Sequence, residues 1–103
     1  MFVALSTRKL KPGAWEAFRA AWEPKGNEYP PGFVRAIHAR KLDDPDEIVS
    51  FGIIDASREQ LEAWRRRHAD DERLRQESMA RHVQSTGADA IYEVIEEVTP
   101  PGA

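Results

Sequence analysis

Turn-forming residues recur at short intervals along this 103-residue chain, and the segments between them constrain the fold more than any other feature. The breaks are Lys11-Pro12-Gly13, a loop at 24–32 with three prolines and two glycines, Asp43-Asp44-Pro45-Asp46, and Gly87. Proline lacks an amide donor and glycine adopts turn conformations freely, so strands and helices end at such sites. Together with a helix start at Ser57, these breaks define six segments.

Four of the segments predict β-strands, because they combine β-prone residues with alternating or continuous apolar stretches. They lie at 1–10, 33–42, 47–55 and 90–98. The second and third are separated only by the Asp-rich turn, so we expect them to form an antiparallel hairpin.

The other two segments carry helical spacing. Trp15, Phe18 and Trp22 recur at i, i+3 and i+7, which predicts a short helix at 14–23. Ser57 with Gln60 three residues later has the form of a capping box and predicts the start of a second helix. Helical structure is expected to continue to about residue 84, with Asp70 or Asp71 capping a second helical segment and Gly87 ending it.

The order strand, helix, strand, strand, helix, strand matches the ferredoxin-like βαββαβ plan of the α+β class. Right-handed crossovers place both helical regions on one face of a four-stranded antiparallel sheet of order 4-1-3-2. Residues 1–98 are expected to form this single domain, and residues 99–103 a flexible tail.

Two predicted strands are apolar on both faces. Phe2 and Ala4 alternate with Val3 and Leu5 in the first, and 48–54 repeats the pattern in the third. Helices can cover only one face, so the sequence predicts that a second copy of the chain covers the other.

Composition excludes several classes of function. The net charge is −3, and seven arginines at 58–82 are opposed by six acids, which argues against a nucleic-acid partner. Without cysteine there is no disulfide or thiolate metal site, and no cluster has metal-ligand spacing. No apolar run reaches ten residues, so we expect neither a membrane span nor a signal peptide, and a cytoplasmic location.

Four motifs carry a resemblance to a known family. They are Lys11-Pro12-Gly13, Pro31-Gly32-Phe33, Asp43-Asp44-Pro45-Asp46 and the segment Ser57-Arg58-Glu59-Gln60-Leu61-Glu62-Ala63-Trp64. In order and spacing they resemble the antibiotic-biosynthesis-monooxygenase-like family over nearly the whole chain. The resemblance implies a homodimer, in which two ferredoxin-like sheets pair into a dimeric α/β barrel.

Some members of that family oxidise aromatic or quinone-like compounds without metal, flavin or other cofactor, in an apolar pocket between helices and sheet. For this chain the resemblance implies His68 as candidate base, with Tyr92 and His82 as further catalytic candidates. The candidate substrate-binding residues are Trp64, Trp22, Phe18, Ser6 and Leu61.

Other interpretations of these residues stay open. Trp64 could be ordinary core packing with His68 bonded to backbone at a helix end, and His38 could be an edge-strand histidine facing solvent. Haem-degrading relatives carry a first-strand asparagine near where Ser6 stands, so haem oxygenation is not implied, while haem binding through His68 or His82 stays open. The alternative to an enzyme is a non-catalytic, small-ligand-binding or stress-related module of the same fold.

Overall fold

The computed structural model describes residues 1–102. Its strands are β1 (Phe2–Leu10), β2 (Phe33–Lys41), β3 (Asp44–Ile54) and β4 (Val83–Glu93). Its helices are α1 (Trp15–Trp22), α2 (Arg58–Arg67) and α3 (Ala69–Ala80), with one 3-10 turn at Lys25–Asn27. In the described part of the chain, every helix is too short and too polar to cross a membrane.

The four strands form one antiparallel sheet of order β2-β3-β1-β4. This order confirms the predicted ferredoxin-like βαββαβ plan. In the β1–β3 register Ala4 pairs with Gly52 and Ser6 with Ser50, so the even-numbered residues of both strands share one face. The helices pack on that face.

The core lies where α1 and α3 cross one end of the sheet. Leu10 of β1, Phe18 of α1, Ile48 of β3 and Met79 of α3 form one buried cluster. Phe18 is fully buried, and burial of a side chain of this size stabilises the fold by about 1.5–3 kcal/mol. The cluster fixes α1 against the sheet and so positions the residues at the end of that helix.

The capping box at the start of α2 is confirmed. Ser57 Oγ accepts a hydrogen bond from the Gln60 amide at 3.1 Å, and the Ser57 amide donates to Gln60 Oε1 at 2.9 Å. The predicted cap of the next segment is wrong, because α3 begins at Ala69 and Asp70 and Asp71 lie within its first turn. In the first turn their negative charges still interact favourably with the positive end of the helix dipole.

The predicted end of the helical region and the last strand are also wrong in position. Helix α3 ends at Ala80, and β4 runs from Val83 to Glu93 rather than over 90–98. Gly87 lies inside this strand, where an added Cβ would stand 2.4 Å from Thr7 Oγ1. The Thr7 hydroxyl accepts a hydrogen bond from the Ala88 amide at 3.0 Å, so Gly87 permits a close strand contact instead of ending a helix.

The other face of the sheet carries no helix. Odd-numbered residues of β1 and β3 lie there, among them Val3, Leu5, Val49, Phe51 and Ile53. On the flanking strands Ile37 is opposite Phe51 and Tyr92 is opposite Val3, and they are 38% and 48% exposed. This helix-free face is apolar and uncovered in the single chain.

Candidate functional site

A cavity of about 230 Å³ lies between the helices and the sheet, beside the buried core. Its floor is formed by the sheet residues Ala4, Ser50, Gly52, Ile54 and Ile91. Helices α1, α2 and α3 and the loop at 24–32 form its walls. A concave, mostly apolar space with a few polar groups is the usual form of a small-molecule site.

Four aromatic side chains from the helices, the loop and the start of β2 line this cavity, namely Trp22, Tyr29, Phe33 and Trp64, and Phe51 of β3 also contributes to its lining. The Tyr29 and Phe33 rings are stacked with centroids 4.5 Å apart, and Trp22 lies 6.3 Å from Tyr29. Aromatic walls of this kind suit a flat, unsaturated ligand, because ring faces stack on one another with little loss of conformational entropy.

Two glycines allow this arrangement. Gly32 has φ of +73°, and an added Cβ there would stand 2.1 Å from the Asp55 carbonyl oxygen, so the chain enters β2 in a conformation that favours glycine. Gly52 lies under the Phe33 ring, with the position of an added Cβ 3.0 Å from Phe33 Cε2. The loop residue Tyr29 and the strand residue Phe33 can therefore lie close to the sheet.

The polar end of the cavity is an ion pair on α3. Arg75 Nε and Nη2 each lie 2.9 Å from an oxygen of Glu72, and Arg75 Nη1 donates to the Trp22 carbonyl at 2.5 Å. Burial raises the pKa of Glu72, but the hydrogen bonds and charge of Arg75 with the hydrogen bond of Gln76 outweigh it, so the pKa lies below the ordinary value. Glu72 is therefore ionised and paired, and it fixes Arg75 against Trp22.

A second polar group lies in the cavity floor. Ser50 is 5% exposed and lines the cavity, and its Oγ lies 2.7 Å from His38 Nδ1. The His38 ring packs edge-on against Trp15 and Trp22, at centroid distances of 5.3 and 4.6 Å. Burial, followed by the charges of Arg19 and Arg8, lowers the pKa of His38, so its imidazole is neutral at neutral pH.

His68 stacks on Trp64 at a centroid distance of 4.6 Å, as their spacing predicts, but it does not line the cavity. It lines a neighbouring recess of about 20 Å³ on α2, α3 and the loop. Its Nδ1 lies 3.0 Å from the Trp64 carbonyl and its Nε2 3.0 Å from Glu28 Oε2. Both nitrogens thus face acceptors, and a ring that donates to both is protonated, so the structure places the candidate base outside the cavity lining with both nitrogens engaged.

The other predicted site residues divide into two groups. Trp22, Trp64 and Leu61 line the cavity. Phe18 belongs to the buried core, and Ser6 Oγ accepts a hydrogen bond from the buried Arg8 guanidinium. Tyr92 lies on the opposite face of the sheet, because it is in register with Val3 rather than with Ala4. His82 follows the end of α3, outside the cavity lining.

Tyr29, Phe33, Ser50, Glu72 and Arg75 line the cavity although the sequence did not indicate them as site residues. The alternation of β3 could have placed Ser50 on the same face as Ile48 and Ile54, since side chains two residues apart share a face. No comparable pattern exists for Tyr29, which lies in an irregular loop. Among residues 1–102, no group of three or more His, Asp or Glu side chains is arranged to hold a metal ion.

No protein-family model and no curated protein matches the sequence. Solved structures do share the fold. A candidate antibiotic biosynthesis monooxygenase from Nitrosomonas europaea superposes with a TM-score of 0.65 at 19% identity, covering 93% of this chain and all of the other. A second candidate, from Chloroflexus aurantiacus, gives 0.61 at 16% identity, covering 95% and 96% of the two chains.

A third structure, of an antibiotic biosynthesis monooxygenase, gives a TM-score of 0.65 at 12% identity, over 93% of this chain and all of the other. These are proteins of the kind that the four sequence motifs resemble. The likeness confirms that resemblance at the level of the fold, and function is a separate question because one fold carries many activities.

Proposed function

We propose that this protein binds a planar aromatic or quinone-like metabolite in the cavity and oxidises it with molecular oxygen, without a bound cofactor. The observation that carries the proposal is the set of four aromatic rings around one cavity, with the Arg75–Glu72 pair at its polar end. The fold shared with structures named as antibiotic biosynthesis monooxygenases supports the same activity.

The cavity limits the size and shape of the ligand. A volume of about 230 Å³ lies slightly below the range of roughly 300–1,000 Å³ typical of drug-sized ligands, so two or three fused rings fill it. Such a ligand can lie over the sheet floor beside Phe33 and stack on Trp22 or Trp64. Flat compounds with a hydroxyl or carbonyl group then find Ser50 and Arg75 as polar partners.

The chemistry requires a ligand that ionises readily. An anthrone loses a proton to give an electron-rich anion, which transfers electrons to oxygen, and the ring CH₂ becomes C=O with release of one water for each O₂ consumed. Arg75 and Arg65 lie in the cavity wall, and positive charge there favours the anion over the neutral ligand.

The test is oxygen consumption by metal-free protein with dithranol, a hydroxylated anthrone. We expect one O₂ to be consumed and one quinone formed per dithranol above the uncatalysed background. Trp64→Leu should lower the rate because it removes a cavity wall, whereas Leu74→Ala, on the exposed side of α3, should not. Binding without oxygen consumption would overturn the oxidation, and absence of binding would overturn the site itself.

The second candidate function is a non-catalytic module that holds the same kind of ligand. Two ionisable groups near the cavity favour it. Both nitrogens of His68 and both carboxylate oxygens of Glu72 already form hydrogen bonds, so neither group is free to take a proton from a ligand. Tight binding of dithranol with an unaltered oxidation rate is the result that selects this function.

We also propose that a second copy of the chain covers the helix-free face. The apolar side chains of β1 and β3 on that face, with Ile37 and Tyr92 beside them, are left uncovered in one chain. Ile95, which follows β4, is also exposed, at 96%. Sedimentation should give twice the chain mass. We expect the interface to bury a total area above roughly 2,000 Å². A folded monomer at high micromolar concentration would contradict the dimer.

A further inference from the structure

We propose that Ser50 accepts a hydroxyl proton from the ligand in the cavity while passing its own proton to His38. The inference rests on the proposed function, since it concerns a ligand in the same cavity. It names a proton acceptor in place of His68, whose two nitrogens are engaged elsewhere. It also narrows the substrate class to planar compounds with an acidic phenol or enol hydroxyl.

The first observation is the position of the Ser50–His38 pair. Ser50 lies in the cavity floor on β3, directly opposite His38 of the edge strand β2. Ser50 Oγ to His38 Nδ1 is 2.7 Å, a normal length for a strong hydrogen bond. Ser50 is the group that meets the ligand, and His38 acts through it as a positioning and proton-accepting residue.

The second observation is the surroundings of the other ring nitrogen. His38 Nε2 is buried and has no hydrogen-bond partner among the described residues. The ring meets Trp22 edge-on at 4.6 Å with an interplanar angle of 85°. In an edge-to-face contact of this kind an N–H can donate weakly to an aromatic ring, whereas a nitrogen lone pair gains nothing from it.

The proton of neutral His38 is therefore assigned to Nε2, which leaves Nδ1 as an acceptor. The Ser50 hydroxyl then donates to Nδ1, and the lone pairs of Ser50 Oγ remain for a donor in the cavity. A ligand O–H is such a donor, and Ser50 can receive its proton while losing its own.

The charged groups around His38 come from two elements. Arg19 and Glu23 lie on or just after α1, and Arg8 lies on β1. Arg19 and Glu23 are paired at 2.8 Å, whereas the buried Arg8 is opposed by the half-exposed Asp89 at 3.5 Å, and the charge of Arg8 still acts on His38. This charge disfavours a protonated His38 in the empty cavity and favours an anionic ligand once it forms.

The step balances as a double proton transfer. The ligand O–H bond breaks as its proton goes to Ser50 Oγ, the original Ser50 proton goes to His38 Nδ1, and the products are a ligand anion and an imidazolium. No electrons leave the ligand in this step. Its reaction with oxygen follows separately.

The experiment uses 4-nitrophenol, a planar phenol whose anion absorbs visible light and whose neutral form does not. Bound to the wild-type protein, it should ionise at least about one pH unit below the free probe, a tenfold change in its ionisation constant. His38→Asn keeps a polar atom near Ser50 but accepts no proton, and Ser50→Ala removes the relay. Each should return the midpoint toward that of the free probe.

The controls separate the possible failures. Ser85→Ala, on the exposed part of β4, should leave the shift unchanged, and 4-nitroanisole, which has no hydroxyl, should bind wild type and both variants alike. An unchanged shift in Ser50→Ala overturns the relay even if His38→Asn fails to fold. Failure of both probes to bind wild type overturns the proposed cavity function and the relay together.

With dithranol as substrate, a general base typically contributes about 10²- to 10⁴-fold, and either variant should lose activity by that factor. Wild-type activity should fall at acid pH as His38 becomes protonated, below the ordinary histidine value of about 6.5. This fall in activity at acid pH should be absent in His38→Asn. If His38→Asn still loses activity at acid pH, a different group accepts the proton.

Discussion

His68 joins the loop at 24–32 to the junction of α2 and α3, because its Nε2 lies 3.0 Å from Glu28 Oε2. Its ring is parallel to Trp64 within 22° at the same time. The loop that supplies Tyr29 to the cavity is thus held by a charged hydrogen bond to the helix that supplies Trp64. The pair is a structural link between two cavity walls.

The first prediction concerns the titration of His68. The hydrogen bond to Glu28, followed by that to the Trp64 carbonyl, raises the pKa of His68 above its ordinary value. A raised folded pKa gives stabilisation that is complete below the unfolded value of about 6.5 and is lost as pH rises through the folded pKa. Glu28→Gln should lower the pKa of His68. It should also reduce the free energy of unfolding at pH values where His68 is protonated in the folded protein, and leave it unchanged at higher pH.

Proton NMR titration of the imidazole signals measures this pKa directly. The signal of His38, which packs against Trp15 and Trp22, should be unaffected by Glu28→Gln and serves as the internal control. Equal His68 midpoints in wild type and variant would show that the Glu28 contact does not exist in solution.

The second prediction compares two aromatic residues. Phe18 is fully buried in the core, so Phe18→Ala should lower the free energy of unfolding by about 3–5 kcal/mol. Trp64 is only partly buried and faces the cavity, so Trp64→Ala should cost less stability but abolish binding of planar aromatics. Urea denaturation and ligand titration measure the two effects. An equal stability loss at both sites would mean that Trp64 is core packing.

The third prediction concerns the buried arginine of β1. Arg8 is 6% exposed, donates to Ser6 Oγ and lies 3.5 Å from Asp89. Ser6→Ala removes a partner of a buried guanidinium and should cost about 1–3 kcal/mol. Arg8→Met should cost less, because replacing a buried charge with an apolar side chain of similar size is often neutral. Thermal denaturation of both variants measures the two stability losses. A larger loss for Arg8→Met than for Ser6→Ala would refute this account of Arg8.

The fourth prediction tests the helix-free face. Ile37 lies on this face in the edge strand β2, opposite Phe51, so Ile37→Glu should convert the proposed dimer into a folded monomer. Leu42, in the turn between β2 and β3, is fully exposed, and Leu42→Glu should leave the dimer intact. Sedimentation velocity with circular dichroism separates dissociation from unfolding. Dimers in both variants would place the interface elsewhere.

Local patterns in the sequence determined most of the fold. The capping box of Ser57 and Gln60 and the helical spacing of Trp15, Phe18 and Trp22 are short-range features. The Asp-rich hairpin turn is another, but the predicted bounds of 43–46 are wrong, because β3 already begins at Asp44. Hydrogen bonds and side-chain periodicity act within a few residues, so one chain suffices to recognise them. Their order was enough to give the ferredoxin-like plan and its strand order.

Strand β4 and the cavity were decided by contacts between distant residues. Residues 83–89 have little apolar pattern and become a strand because β1 offers them a partner, with Thr7 bonded to Ala88. The surroundings of His68 and His38 depend on distant residues for a similar reason. Glu28, 40 residues away, engages His68, while Trp22 and Ser50 enclose His38. The protonation of a histidine depends on which groups the tertiary fold brings within hydrogen-bond distance, and no local pattern encodes that.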